Sequence, residues 1–290
     1  MNFSDQYEIY RTHFEEFLQN MCAGMAFKPQ VLTESMRYSL LCGGKRVRPV
    51  LFFSALDAFG ISYRGEEMLA YCLECIHTYS LIHDDLPAMD NDDFRRGKPS
   101  NHKVFGEANA ILAGDALLSY AFDGMLKEGG RDEAHLRAAQ ALSRAAGAEG
   151  MVAGQSLDLL CTGAGGGEDA LLEIYRDKTG RLIAAPVLMA AILSGKYEQE
   201  AEKFGLTLGA LFQITDDILD AIGNSDALGK TTGKDAKEDK LTAVKVYGLE
   251  GACARADEYA NMCHEILHNM TGADTKFLSA MVDYVRRRDR

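Results

Sequence analysis

Apolar positions recur every three to four residues along nearly the whole chain. Phe3, Tyr7, Tyr10, Phe14, Phe17 and Leu18 share a face with acids between them, which predicts an amphipathic helix over 3–19. A second helix is expected over 31–41, stopped by Gly43-Gly44, and a third along the apolar run 50–59. The next starts near Glu66 and runs through His77 into an acidic stretch, where Pro87 forbids a regular helix. Residues 109–118 read as a helix whose small side chains allow close packing, and 131–160 as one further helical region. Gly163 to Gly167 is a loop with no strand before it, and so no phosphate-binding glycine motif. An apolar run over 182–193, a clear helix over 201–222 and helices near 242–247, 251–269 and 274–287 complete the chain. No strand-length alternation, internal repeat, linker or composition break interrupts this pattern. The expectation is an all-α protein, one domain over 1–290.

The helix over 201–222 carries Leu208, Leu211, Thr215, Ile218 and Ile222 on one stripe, with Gln213, Asp216, Asp217 and Asp220 opposite. Alone, those acids are explained by a solvent face. The stretch 80–96 changes the picture. Asp84, Asp85, Asp90, Asp92 and Asp93 fall within ten positions, and Arg95-Arg96 follow at once. Carboxylates packed this closely repel one another unless hard cations neutralise them. Guanidinium forks beside a cation cluster match phosphate oxygens. Mg²⁺ held by aspartates, and a phosphate held by Mg²⁺, is the chemistry this pattern suggests. A second Asp-Asp pair, again ending an apolar helix, is poorly explained by solvation.

Other features are open to plainer readings. Lys45-Arg46-Val47-Arg48-Pro49, between a glycine pair and an apolar run, reads alone as a solvated corner. His77 lies seven residues before Asp84 and so shares its face, but a satisfied core histidine has the same pattern. Cys72-Leu73-Glu74-Cys75 has CxxC spacing without a second pair. His264-Glu265-Ile266-Leu267-His268 matches a zinc-peptidase pattern but has no third ligand after it. Glu74 with His77, and Glu265 with His268, repeat the Glu-x-x-His of di-iron bundles, although the Asp-Asp pairs point to a harder ion. The lysine-rich segment 229–240 suits a lid over phosphates or a solvated loop.

Composition narrows the field. A net charge of −12 argues against a nucleic-acid partner. Neither a signal peptide nor an apolar run long enough to span a membrane is visible, and seven cysteines read as reduced thiols. Cytoplasmic residence is therefore expected.

Taken in order, these motifs resemble those of the trans-prenyl diphosphate synthases, in particular the bacterial farnesyl diphosphate synthases. The similarity rests on Gly43-Gly44-Lys45-Arg46-Val47-Arg48-Pro49, a DDxxxxD motif at Asp84, Asp85 and Asp90, and Arg95-Arg96-Gly97. It continues through Lys178-Thr179-Gly180, Gln213, a DDxxD motif at Asp216, Asp217 and Asp220, and Gly229-Lys230. Asn91 departs from it, since relatives often carry another Asp there.

The resemblance implies the isoprenoid synthase fold, a helical bundle around a deep cavity, as a homodimer. It implies that Asp84, Asp90 and Asp216 bind Mg²⁺, about three ions with substrate present, and that Asp85, Asp217 and Asp220 support them. The allylic diphosphate would meet Arg95, Lys178, Thr179, Gln213 and Lys230. Isopentenyl diphosphate would meet Lys45, Arg48, His77 and Arg96. Ionisation of dimethylallyl or geranyl diphosphate, attack by the isopentenyl double bond and proton loss would give farnesyl diphosphate. In that family an aromatic at the position of Tyr79, with two extra residues in the first motif, goes with this product, and the small Ser80 lies beside it. A geranylgeranyl or longer-chain synthase is the near alternative; a terpene cyclase or a non-catalytic subunit fits the two intact aspartate motifs less well.

Overall fold

The computed structural model describes residues 2–223 and 239–288. Its contacts group into two compact units. One comprises 1–53 and 63–139, the other 54–62 and 140–290.

In the first unit, helix α1 (Phe3–Gly24) buries Tyr7, Tyr10, Phe14 and Leu18, as its periodicity predicts, and is capped by the Asn2 side chain. Helix α2 (Gln30–Leu40) follows, then the start of α3 (Val47–Ala58) and α4 (Glu67–Asp84). A two-residue hairpin, β1 (Phe94–Arg95) with β2 (Lys98–Pro99), is the sole sheet among the described residues. The short α5 (Asn101–Phe105) and the long α6 (Glu107–Gly129) lead to α7 (Glu133–Ala146). The α4–α6 pairing rests on small residues. Ala110, Ala113, Gly114, Leu117, Ala121 and Gly124 form the buried face of α6 at helical spacing. A β-carbon on Gly124 would come within 2.6 Å of the Cys72 sulfur. Both cysteines of the CxxC pair are buried, 1% and 0% exposed, and burial pushes the Cys72 thiol up to about 12 and Cys75 well above its ordinary value, away from the thiolate.

The second unit contains the end of α3 and α7, α8 (Met151–Cys161), α9 (Glu168–Ile174), a π-helical turn (Tyr175–Gly180) and α10 (Arg181–Ser194). It ends with α11 (Glu198–Ala221), α12 (Ala243–Asn269) and α13 (Lys276–Arg287). The single helical region expected over 131–160 is two helices, because the chain turns at Gly147–Gly150. Helix α12 includes a break where Gly248 takes φ 71°, in line with the two separate helices expected there. No described helix is long and apolar enough to cross a membrane.

The cationic corner is not solvated throughout. Arg46 is only 2% exposed and takes a left-handed φ of 54°. Its guanidinium donates to Glu15 of α1 at 2.8 Å, Glu74 of α4 at 2.6 Å and the Leu40 carbonyl of α2 at 2.7 Å. Burial opposes its charge, but the two carboxylates outweigh that and raise its pKa. Removing one partner of a buried ion pair strands the other. Arg46→Ala should therefore cost about 3–5 kcal/mol in denaturant unfolding; a loss below about 1 kcal/mol, the range of exposed pairs, would sink the assignment.

Candidate active site

In the first unit the chain between α2 and α3 builds a cationic pocket wall. Gly43 and Gly44 take φ +83° and +124°, and a β-carbon on Gly44 would sit 2.6 Å from the Arg96 guanidinium carbon. The position needs glycine twice, for its backbone and for room. Arg96, itself at φ 53°, lies over Gly44 and donates to the Gly43 carbonyl. Arg48 projects from the first turn of α3 with a buried Nε that has no partner. Burial, with Arg96 adding repulsion against the pull of Glu74, brings its pKa down to about 10. No ion pair joins Arg48 or Arg96 to a carboxylate among the described residues. Lys45 is exposed at the same corner, its carbonyl held by the Tyr7 hydroxyl at 2.7 Å. His77 of α4 is held well below the ordinary histidine pKa, first by burial and then by Arg48, Arg96, Arg95 and Arg46. A neutral imidazole beside unpaired guanidinium groups is a site short of an anion.

The acidic motif begins at the last residue of α4. Beyond Asp84 the chain leaves the helix before Pro87, and the Asp90 amide donates back to the Asp84 carbonyl at 2.8 Å. The Met89 and Asn91 amides both donate to the Leu86 carbonyl, with Asn91 at φ 49°. The six-residue spacing of the DDxxxxD motif is therefore one closed turn that returns Asp90 to Asp84. Asp85 is 2% exposed and accepts from Arg95 Nε at 2.9 Å. Burial raises its pKa, with the Arg95 bond opposing. The hairpin that carries Arg95 and Arg96 is tied by Ser100, whose hydroxyl donates to the Asp92 carbonyl and whose amide donates to that of Asp93. Asp92 reaches Arg95 at 3.5 Å and Asp93 pairs with Lys103. Arg95, expected at the allylic diphosphate, is here joined to Asp85.

In the second unit the π-helical turn carries Lys178 and Thr179, both expected at a substrate. Gly154 of α8 packs directly on it: an added β-carbon would lie 2.0 Å from the Lys178 amide nitrogen. Lys178 forms an ion pair with Asp158, one helical turn beyond Gly154. The Thr179 hydroxyl donates to Gln213 at 2.9 Å, and Gln213 donates to Asp217 at 3.1 Å. Asp217, 4% exposed, also accepts from the Tyr175 hydroxyl and from the Ala243 amide at 2.7 Å. Burial and this carboxylate push the Tyr175 phenol far up, so it stays a neutral donor. Asp216, at 30% side-chain exposure, pairs with Arg288 after α13, whose guanidinium lies 3.8 Å over the Phe212 ring. Asp217 and Asp220 are buried, whereas Ile222 is 55% exposed. The acids of α11 thus do not form a solvent face, nor do all its apolar stripe positions lie inside. Lys230 lies outside the described residues.

Several of these contacts escaped the sequence reading. Glu74 was hidden in an apolar run, although a carboxylate there demands a buried cation. Asp158 stood at the end of Gly154-Gln155-Ser156-Leu157, and Tyr175 and Arg288 had no distinguishing pattern. Of the decoys, His264 bridges Ser279 at 3.0 Å and Asp283 at 3.1 Å. The metal-capable group among the described residues is instead Glu66, Glu128 and His135, and Arg131 pairs with both of its carboxylates.

In the first unit Asp84 and Asp90 are half-exposed, and in the second Asp216 is; each carries the hard oxygen donors of a carboxylate.

Known proteins are similar to this chain along nearly its whole length. A family model described as polyprenyl synthetase matches residues 29–284. The chain is 46% identical to geranylgeranyl pyrophosphate synthase 7, chloroplastic, of Arabidopsis thaliana, over 90% of this chain and 77% of that one. It is 40% identical to farnesyl diphosphate synthase of Escherichia coli (strain K12), over the full length of both. The crystal structure of a geranyltransferase from Helicobacter pylori complexed with magnesium and isoprenyl diphosphate superposes with a TM-score of 0.85 at 31% identity, covering 96% of this chain and 94% of the other. The all-α class and the isoprenoid synthase fold are those the motifs implied. A family match across nearly the whole sequence, together with a relative similar from end to end, establishes that this chain belongs to the polyprenyl synthetase family of trans-prenyl diphosphate synthases.

Proposed function

We propose that this prenyltransferase makes farnesyl diphosphate by condensing isopentenyl diphosphate with dimethylallyl and then geranyl diphosphate. The transfer chemistry follows from the family; the product is the further step. The observation that carries it is Tyr79. It is 6% exposed on α4, five residues before Asp84, hence about 7–8 Å along the helix. A buried aromatic there limits how far a growing chain extends past the acidic motif, with the small Ser80 beside it. The relative similar over both full lengths is a farnesyl synthase. Geranylgeranyl diphosphate is the second reading, because a relative of 46% identity is named for that product.

In this reading Lys45, Arg48 and Arg96 bind the isopentenyl diphosphate, and the neutral His77 offers it a hydrogen bond without adding charge. Lys178, held by Asp158, and Thr179 and Gln213, held by Asp217, orient the allylic diphosphate, with Arg95 and Lys230 on the same group. Asp84, Asp90 and Asp216 would hold Mg²⁺, with Asp85, Asp217 and Asp220 behind them. Bound there, the metal supplies positive charge that stabilises the departing diphosphate. The allylic C1–O bond breaks with its electron pair leaving on diphosphate, the isopentenyl double bond forms the new bond to C1, and a proton is lost. The released diphosphate is base enough for that proton, so no side chain is assigned to it. A homodimer belongs to this reading, supported by the exposed Ile111, Leu112 and Leu126 of α6. So does cytoplasmic residence, supported by seven free thiols.

Incubation with Mg²⁺, dimethylallyl and isopentenyl diphosphates should release diphosphate and yield farnesyl diphosphate by chromatography. No diphosphate release would refute the activity, and a geranylgeranyl product would favour the second reading. Asp84→Ala and Asp216→Ala should each lower turnover by at least about a thousandfold while circular dichroism stays helical. Tyr79→Ala should lengthen the product; a variant still stopping at farnesyl would remove Tyr79 as the limit.

A further inference from the structure

The same helix face carries a second ring that the catalytic reading leaves without a task. His83 lies one turn after Tyr79 and immediately before Asp84, so the two rings share a face of α4. They meet edge to face, 5.8 Å between centroids at 82°. The other side of the His83 ring enters α6. Its Nε2 lies 3.0 Å from the Ile111 carbonyl and 3.9 Å from the Asp115 carboxylate. It fits only because residue 114 is glycine. A β-carbon there would stand 2.1 Å from Nε2, 2.5 Å from Cδ2 and 2.8 Å from Cε1. Gly114 takes an ordinary helical φ, so its backbone does not require glycine; the room for the ring does.

We propose that His83, seated in the slot left by Gly114 on α6, is a positioning residue that fixes the Tyr79 ring and thereby the length of the product. The inference rests on the reading of Tyr79 as the limit to chain growth. The bond to the Ile111 carbonyl locks the imidazole, and the locked imidazole leaves the phenol ring one orientation against its edge. A tyrosine ring without that neighbour turns about its own side-chain torsions, and the barrier it presents to an alkyl chain becomes intermittent. His83 thus converts contact between two helices into control of where condensation stops. Among the described residues its imidazole meets the Ile111 carbonyl, the Asp115 carboxylate and the Tyr79 ring, none of them assigned to a diphosphate, so its effect falls on product length rather than on binding.

The test compares product distributions of the full-length enzyme with those of His83→Ala, Gly114→Ala, Tyr79→Ala and the Tyr79→Ala/His83→Ala pair. His83→Ala should raise the ratio of geranylgeranyl to farnesyl product by about threefold to tenfold, the range one edge-to-face contact can carry. The KM for isopentenyl diphosphate should not change. Gly114→Ala, which keeps the histidine but displaces it, should raise the ratio in the same direction and guards against His83→Ala failing to fold. In the Tyr79→Ala background His83→Ala should add nothing, because the ring it holds is gone. A lower melting temperature with a wild-type product ratio in both single variants, while Tyr79→Ala lengthens the product, would overturn the proposal and leave the Tyr79 reading standing. If Tyr79→Ala itself leaves the product unchanged, the limit lies elsewhere and both fall together.

Discussion

A single guanidinium buried among three helices organises the cationic corner of the first compact unit. Arg46 joins Glu15 of α1, the C-terminal carbonyl of α2 and Glu74 of α4. It does so from a left-handed backbone position that launches α3 directly after it. Because its charge is matched internally, it adds little net attraction for a ligand. What it determines is place. Arg48 follows two residues later and His77 follows Glu74 by three, so both inherit their positions from this pair. Among the described residues, Arg48 and Arg96 are the arginines of this corner left without a carboxylate. Matched charge holds the frame here, since a buried charge is tolerated only with a partner or an incoming counter-ion.

The two Asp-Asp pairs follow one rule. In each, the second aspartate is buried and committed to protein donors: Asp85 to Arg95, and Asp217 to Tyr175, Gln213 and the Ala243 amide. The first, Asp84 or Asp216, is half-exposed. Consecutive helical residues point about 100° apart, so a pair at the edge of a buried face sends one carboxylate inward and one outward. The inward one anchors what comes next, the arginine hairpin in one case and the start of α12 in the other. A doubled acid is thus a buried structural residue and a half-exposed one, side by side.

Much of this was legible from the chain. Helical periodicity located α1, α2, α4 and α11 to within about five residues, and the start but not the end of α6, because long amphipathic or apolar runs have no competing strand pattern. The ordered motifs carried the family. Local breaks were harder. The split between α7 and α8 depends on a short glycine-bounded turn within an alanine-rich run, and the π-helical turn at 175–180 has no sequence signature. On α11 hydrophobicity alone ranks Asp217 and Asp220 as outward, and only the repeated Asp-Asp pair argued against a solvent face; partners such as Tyr175 make burial of Asp217 tolerable.

The sequence by itself determined the class of fold, the family and the residue types of the chemistry, since these follow from periodicity and from motif order. Only the tertiary structure decided which charges are spent inside the protein. Glu74 with Arg46, Asp158 with Lys178 and Arg288 with Asp216 pair residues 28, 20 and 72 positions apart. No local pattern encodes such partners. Whether a charge is matched depends on distance in space, which the order of residues along the chain does not give.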